Sequence, residues 1–308
     1  MKIFVTGATG FIGSAVVKEL VGAGHQVLGM ARSDEGAKSL IAAGAQVHKG
    51  DLNDVESLRS GAAAAEGVIH TAFIHDFSKF AENCAIDERA IETLGSALEG
   101  SERPMIVTSG LTIVAQGRMP NEEDPHLPAS AAMPRVSEAT AEKLLKRGVR
   151  VSVVRLPQVH NTVKQGLITY TIAVAREKGM SVYVGEGLNR YAAVHVLDAA
   201  RLYRLAIEKG QAGARYHAVA EEGVPMREIA EAIGRGLKVP VVSKSPEEAA
   251  AHFGPWLGRF VGRDLIASSA QTRQRLGWQP TGPGLITDLG QMNFPESDKV
   301  AASAARRS

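Results

Sequence analysis

Cysteine is nearly absent from this chain of 308 residues: Cys84 stands alone. That excludes an intramolecular disulfide and a cysteine-based metal site, leaving a buried or incidental thiol as its expected role. An excess of either charge is missing too, since 35 Lys and Arg face 33 Asp and Glu for a formal net charge of +2. The terminal pair Arg306-Arg307 is too short to serve as a basic arm, so no nucleic-acid partner is expected. No apolar run reaches the roughly 18 residues that cross a bilayer, and the chain opens on a core strand instead of a signal peptide. No membrane partner is expected, and a cytoplasmic location is. The histidines at 70, 75, 126, 160, 195, 217 and 252 form no i, i+4 pair, and no Gly-x-Ser-x-Gly elbow occurs. Metal and Ser-His-Asp chemistry therefore find no support. No internal repeat is visible, and 44% hydrophobic with 22% charged residues is ordinary for a globular protein with a sizeable core.

What the chain does have is a glycine fingerprint. Gly7, Gly10 and Gly13 follow the apolar run Ile3-Phe4-Val5 and open a helical pattern. Gly7 permits the tight turn, Gly10 lets the backbone approach a pyrophosphate, and Gly13 lets helix and strand pack closely. Phosphates would sit on the helix N-terminus, where free N–H groups and the dipole favour negative charge. Thr9, Phe11 and Ile12 belong to the same turn. The second strand, residues 26–30, ends in Ala31-Arg32-Ser33. An acid at this place would take the ribose 2′-hydroxyl of NAD, whereas Arg32 and Ser33 suit the 2′-phosphate of NADP. NADP is expected, with NAD the alternative if Asp34 takes the ribose.

Strands and helices alternate as in a doubly wound α/β parallel sheet of Rossmann type. Strands are expected at 2–5, 26–30, 45–49, 67–70, 104–107 and 149–155, with helices at 14–23, 35–43, from near 55, and at 135–147. Ligands in such sheets bind beyond the carboxyl ends of the strands. Asp51 and Leu52 follow strand three and are candidates for the adenine, although Asp51 could equally cap the next helix. Thr71 and Ala72 follow strand four, and Pro157 and Val159 follow strand six. The dinucleotide-binding core is expected over 1–157. Residues 158–294 read as a smaller C-terminal lobe that covers the substrate, with some segments returning to the core. Within it, helices are expected at 167–177, 199–207 with Asp198 as N-cap, and 224–237. The Ala-, Ser- and Arg-rich tail, 295–308, is expected to be disordered.

The run Thr6-Gly7-Ala8-Thr9-Gly10-Phe11-Ile12-Gly13 resembles the fingerprint of the extended short-chain dehydrogenases, the superfamily of the sugar-nucleotide epimerases and dihydroflavonol-type reductases. Gly50-Asp51-Leu52, His70-Thr71-Ala72, Arg155-Leu156-Pro157, Val194-His195-Val196-Leu197-Asp198 and Leu276-Gly277-Trp278-Gln279-Pro280 are similar to its other motifs, so the likeness covers about residues 1–292. Typical members carry a Tyr, with a Lys four residues later, on the helix after strand five. The Tyr exchanges the proton as hydride moves, and the Lys lowers its pKa and holds the nicotinamide ribose. Aligning Ser137 and Ala141-Glu142 with that helix puts Pro134 at the Tyr place and Glu138 at the Lys place. No Tyr occurs between Met1 and Thr169, so no shift of register restores the pair. The chain thus resembles the atypical branch that lacks it.

Other groups must then do the work. Arg135 could bind the ribose hydroxyls or a substrate carboxylate, although it is no general acid at neutral pH and could simply pair with Glu138 one turn along. Ser109 lies near the family's polar residue that orients the carbonyl, with Gly110 the alternative counterpart and Thr112 close by. His160 follows the segment expected to face the nicotinamide and titrates in the right range for proton transfer, against a plain structural role. Tyr170, Tyr183 and Tyr191 are expected to pack in the lobe, and His195 to brace the pocket floor. The resemblance implies an NADPH-dependent reductase of a small or medium organic carbonyl, or a related C=N or C=C group. The alternative is an NADP(H)-binding redox sensor without turnover. A homodimer through residues 85–98 and 139–146 is expected.

Overall fold

Short apolar runs separated by amphipathic stretches build the chain into two units, traced in a computed structural model that describes residues 1–114, 117–131 and 133–294. The first unit comprises Met1–Pro157, Val196–Val219 and Ala267–Gly282, and the second Gln158–His195, Ala220–Ile266 and the chain from Pro283. The first unit opens with β1 (Lys2–Thr6), α1 (Phe11–Gly22), β2 (Gln26–Ala31), α2 (Asp34–Ala42), β3 (Gln46–Lys49) and α3 (Val55–Ala63). It continues through β4 (Gly67–His70), α4 (Phe80–Ser96), β5 (Met105–Gly110), α5 (Ser137–Lys146) and β6 (Val151–Leu156). The second unit takes β7 (Gln158–His160), α6 (Ile168–Lys178), β8 (Ser181–Val184) and β9 (Arg190–His195). The chain then returns to the first for α7 (Val196–Lys209) and β10 (Arg215–His217). Next come β11 (Glu221–Pro225), α8 (Met226–Leu237), β12 (Val241–Lys244) and α9 (Pro246–Val261) of the second unit. The first unit is completed by α10 (Ala270–Leu276), and α11 (Leu285–Gln291) belongs to the second.

In the first unit seven strands lie in the order β10-β6-β5-β4-β1-β2-β3, every neighbour parallel. This is the doubly wound α/β sheet that the alternation predicts. One set of alternate strand residues, among them Phe4, Leu28, Val68, Val107 and Val153, packs on Leu58 of α3, Ile91 and Leu94 of α4 and Leu144 of α5. The opposite set, Ile3, Val5, Ile69 and Val154, is equally buried, as the period of two requires when both faces are covered. Strand order reverses between β1 and β4, so the crevice of such a sheet opens beyond Thr6 and His70, which are paired in register.

The segment Ala267–Gly282 is tied in by Trp278, whose buried indole N–H donates to the Asp198 carbonyl at 3.0 Å. The Asp198 carboxylate in turn accepts the N–H groups of Thr281 and Gly282. Asp198 is therefore not the N-cap of its helix, which starts two residues earlier at Val196. The second unit holds a three-stranded sheet, β11-β9-β7, and the parallel pair β12-β8. Helix α8 buries Met226, Ile229, Ala230 and Ile233, the i, i+3, i+4, i+7 stripe of an amphipathic helix. It begins two residues later than the periodicity suggests because Val224 and Pro225 still belong to β11. Helix α9 starts with a Ser245/Glu248 capping box and Pro246 in its first turn.

Two further differences bear on the site. Strand β5 runs on to Gly110, so Ser109 lies within the strand opposite Arg155 instead of beyond its end. Asp54 caps α3, accepting from the Ser57 N–H, while Asp51 makes a local turn with Asn53. The tail 295–308 lies outside the described residues.

Candidate functional site

Gly7 has φ +67, and a Cβ there would lie 2.7 Å from the backbone nitrogen of Ala72. A Cβ on Gly13 would lie 2.0 Å from the Gly7 carbonyl oxygen. These two glycines are therefore required by contact between β1, α1 and the end of β4. Thr71 completes the contact by donating from Oγ1 to the Thr6 carbonyl at 2.8 Å. Gly10 differs, because its own Cβ would come no closer than 3.1 Å to one atom, the Gly7 carbonyl oxygen. It is exposed, in extended conformation, at the N-cap of α1, where no side chain caps the helix and no acid occupies the first turn. Bare backbone at an uncapped helix start is what a pyrophosphate requires, and the residues present fit a dinucleotide. Thr9, Phe11 and Ile12 line this turn, Thr9 exposed and the others half-buried.

Past β2 the Arg32 side chain is exposed, and among the described residues its ion contact is with Asp51 at 3.9 Å. The Ser33 hydroxyl oxygen accepts from the Gly36 N–H at 3.1 Å, which makes Ser33 the N-cap of α2. Its hydroxyl hydrogen is left to donate outward. Asp34 pairs with Lys49 at 3.3 Å. Leu52 belongs to the hydrophobic core with Leu58 and Met30.

At the start of α5, Glu138 is buried and does not pair with Arg135. Arg155, from β6, donates Nε–H and Nη2–H to its two oxygens at 2.9 and 2.7 Å. Burial alone would raise the Glu138 carboxyl, but the Arg155 hydrogen bonds and charge, helped by the Ser109 hydroxyl and Arg215, hold it below the usual carboxylate range. Glu138 is thus a buried acid neutralised by a buried Arg, and Ser109 is buried beside it. Thr112 Oγ1 lies 3.7 Å from where a Cβ on Gly110 would stand, so its hydroxyl reaches the space the glycine leaves.

Arg135 turns the other way. Its Nε–H donates to Ser137 Oγ at 2.9 Å, Nη2–H reaches the Thr108 carbonyl at 3.3 Å, and the guanidinium lies 4.6 Å above the Phe73 ring. Among the described residues Nη1 makes no hydrogen bond, so a cationic donor remains at the carboxyl end of β5. Behind it, Asp87 of α4 is a buried carboxylate between Ser137 Oγ, 2.6 Å from one oxygen, and His70 Nε2, 3.1 Å from the other. Sequence reasoning missed Asp87. Its signal was an acid in the apolar stripe Asp87, Ala90, Ile91, Leu94 of α4, a position where an unpaired charge is rarely tolerated. Tyr203, on α7, is fully buried 2.7 Å from Thr108 Oγ1, and burial pushes its hydroxyl well above the ordinary tyrosine value.

In the second unit His160 is fully buried with Nδ1 2.7 Å from Asp288. Burial drives its pKa below the ordinary histidine value despite that carboxylate, so the ring is neutral at pH 7. The His195 ring meets it edge-on at 5.9 Å. Val159 is buried in β7, and Pro157 closes the first unit's opening stretch. Tyr191 is a packing residue, its buried hydroxyl donating to the Phe260 carbonyl at 2.8 Å. Among the described residues no group of three His, Cys, Asp or Glu is placed to hold a metal ion, and no helix is long and apolar enough to cross a membrane.

Residues 3–220 match the family described as NAD dependent epimerase/dehydratase. The chain is 48% identical over 290 residues to an uncharacterized protein of Schizosaccharomyces pombe, covering 94% of this chain and 98% of that one. It is 26% identical over 308 residues to the 4-hydroxy-2-methyl-3-oxo-4-farnesyl-3,4-dihydroquinoline-1-oxide ketoreductase of Stigmatella aurantiaca, covering 90% and 92%. Among solved structures, dTDP-glucose 4,6-dehydratase of Streptomyces venezuelae with NAD and TYD bound has the same fold. The TM-score is 0.75 at 18% identity, with 95% and 96% of the two chains covered.

Proposed function

The chain belongs to the NAD-dependent epimerase/dehydratase family, and on that premise we propose that it is an NADPH-dependent reductase of a small or medium organic carbonyl, or a related C=N or C=C group. The observation that carries this reading is Arg135: a guanidinium with an uncommitted Nη1 at the carboxyl end of β5, in the unit that holds the glycine cradle. The dinucleotide, when bound along Gly7, Gly10 and Gly13, supplies hydride. Arg135 holds the reacting oxygen and stabilises the negative charge that develops there, as a positioned cationic donor does. It keeps its own protons, so the proton that completes an alcohol comes from solvent or through the Thr112 hydroxyl, while Ser109, buried beside Glu138, stays out of reach. His160, neutral and held on Asp288, is assigned a bracing role. Arg32 and the outward hydroxyl of Ser33 take the 2′-phosphate, while Asp34, engaged by Lys49, leaves the ribose alone. Epimerase or dehydratase chemistry is disfavoured because it leans on a Tyr this chain lacks before residue 170.

The test is NADPH oxidation followed at the nicotinamide absorbance over aldehydes, ketones, imines and enones, with binding of NADPH and NADH measured by fluorescence. Turnover in any class, with NADPH bound more tightly than NADH, is the expected result. Tight binding without turnover would favour a redox sensor, and failure to bind either dinucleotide would overturn the cofactor assignment itself.

A further inference from the structure

A directed chain of hydrogen bonds runs behind Arg135. Asp87, ionised and buried, is acceptor only, so Ser137 Oγ–H donates to it at 2.6 Å and Ser137 Oγ must accept from Arg135 Nε–H at 2.9 Å. The second Asp87 oxygen accepts from His70 Nε2 at 3.1 Å, which puts the imidazole hydrogen on Nε2. His70 Nδ1 then faces the Thr6 hydroxyl at 2.7 Å, at the last residue of β1. Thr108, whose carbonyl takes Arg135 Nη2, is fixed in its turn, since its hydroxyl donates to the His70 carbonyl at 2.6 Å. Five elements, β1, β4, β5, α4 and α5, thus converge on one guanidinium, and every donor in the chain has a single direction.

We infer that Asp87 is a positioning residue that acts through Ser137 to hold Arg135 with Nη1 turned outward, His70 locking the carboxylate in place. This rests on the reading of Arg135 as the residue that binds the reacting oxygen. Its content is separate: the aim of the guanidinium depends on a carboxylate that never touches substrate. A long Arg side chain has several rotamers of similar energy, and an acceptor behind Nε selects one of them. A neutral serine between the charges lets Asp87 orient the guanidinium without occupying the donors that face outward. A direct Asp–Arg fork would consume two of them.

Asp87→Asn is the informative variant because it keeps shape and packing. The amide can present its oxygen to His70 only by turning its NH2 toward Ser137, which reverses the donor order and removes the acceptor that Ser137 needs. Expected results are a melting temperature close to wild type, unchanged NADPH affinity, and a fall in kcat on the order of 100-fold, the scale of a small misplacement of a catalytic group. Added to Arg135→Ala, the same substitution should cost nothing more, since Asp87 has no other route to the reaction. Additive losses would refute the inference. Ser137→Thr, which retains the bridging hydroxyl, should recover most of the activity that Ser137→Ala loses.

A second readout needs no turnover. The Arg135 Nε–H proton should exchange slowly with water in the wild type by 15N-resolved NMR and rapidly in Asp87→Asn. Protection in both proteins would overturn the positioning role even if the enzyme proves to be a reductase. Protection lost in the variant, in a protein that reduces nothing, would leave the relay standing and sink the reductase reading instead.

Discussion

Glu138 and Arg155 meet through two parallel hydrogen bonds, 2.9 and 2.7 Å long, with both side chains sealed from solvent. The acid sits where the family resemblance puts a Lys, and its partner comes from the neighbouring strand. The pair joins the start of α5 to β6. Arg135, set free from Glu138, faces the other side.

Restoring the family residue alone should therefore fail. Glu138→Lys would bury a second cation against Arg155, and Glu138→Gln would leave Arg155 buried without its countercharge, a loss of about 3–5 kcal/mol. Replacing both by apolar residues, Glu138→Leu with Arg155→Met, should return most of that stability. Urea unfolding of the three variants decides it, and a stable, active Glu138→Lys protein would contradict the structure.

Gly13→Ala places its methyl group 2.0 Å from the Gly7 carbonyl and 3.0 Å from Thr71 Oγ1, both of which would have to move. The cradle would open, and NADPH should bind at least ~10-fold more weakly, a change of about 1.4 kcal/mol. Fluorescence titration measures this directly. Wild-type affinity in the variant would mean that the dinucleotide does not use this turn.

Arg32→Ala removes an exposed guanidinium held by one long contact to Asp51, so little stability should go with it. A hydrogen bond to a charged group contributes about 1.5–3 kcal/mol, which sets the expected loss of NADPH affinity at roughly 10- to 100-fold, with NADH unaffected. Equal losses for both cofactors would place Arg32 elsewhere than on the 2′-phosphate.

Acid should weaken the fold through His217. Its Nδ1–H donates to the Ser268 carbonyl at 2.8 Å, leaving Nε2 to accept from Arg155 at 3.2 Å. Burial, and then the charge of Arg155, push the imidazole down to about 4, whereas the unfolded chain takes up that proton near pH 6.5. The unfolded state binds more protons between those values. The contribution is therefore complete above about pH 6.5 and is lost as the pH falls toward 4, reaching on the order of 2 kcal/mol at pH 5. Tm should drop by about 3 °C between pH 7 and 5 from this group, given the large unfolding entropy of a chain this long. His217→Gln should flatten that slope, and an identical slope in the variant would remove His217 as its cause.

Features that depend on neighbours in sequence were legible. The strand-turn-helix around Gly7, Gly10 and Gly13, the alternation that yields the seven-stranded sheet, and the apolar stripe of α8 all follow from local periodicity and turn chemistry. Non-local partners were hidden. Arg155 reaches Glu138 across a strand boundary, and the Asp198 carboxylate is claimed by backbone N–H groups more than 80 residues downstream, so a residue that reads as a helix cap from its neighbours becomes an anchor. The same holds for Asp87, whose partners His70 and Ser137 lie 17 and 50 residues away. Its position in the apolar stripe of α4 was the available clue.

The first unit is assembled from three separate stretches of chain, the last ending at Gly282. During synthesis the glycine cradle leaves the ribosome well before the edge strand β10, Asp198 and the Trp278 that anchors its helix. A nascent chain released or cleaved after residue 157 would hold the cradle and six of the seven strands, yet lack the β10 partner of β6 and the α7 partner of α1. Such a fragment would carry an open sheet edge and an uncovered apolar face, so the cofactor turn is best regarded as waiting on the C-terminal stretches for a stable scaffold.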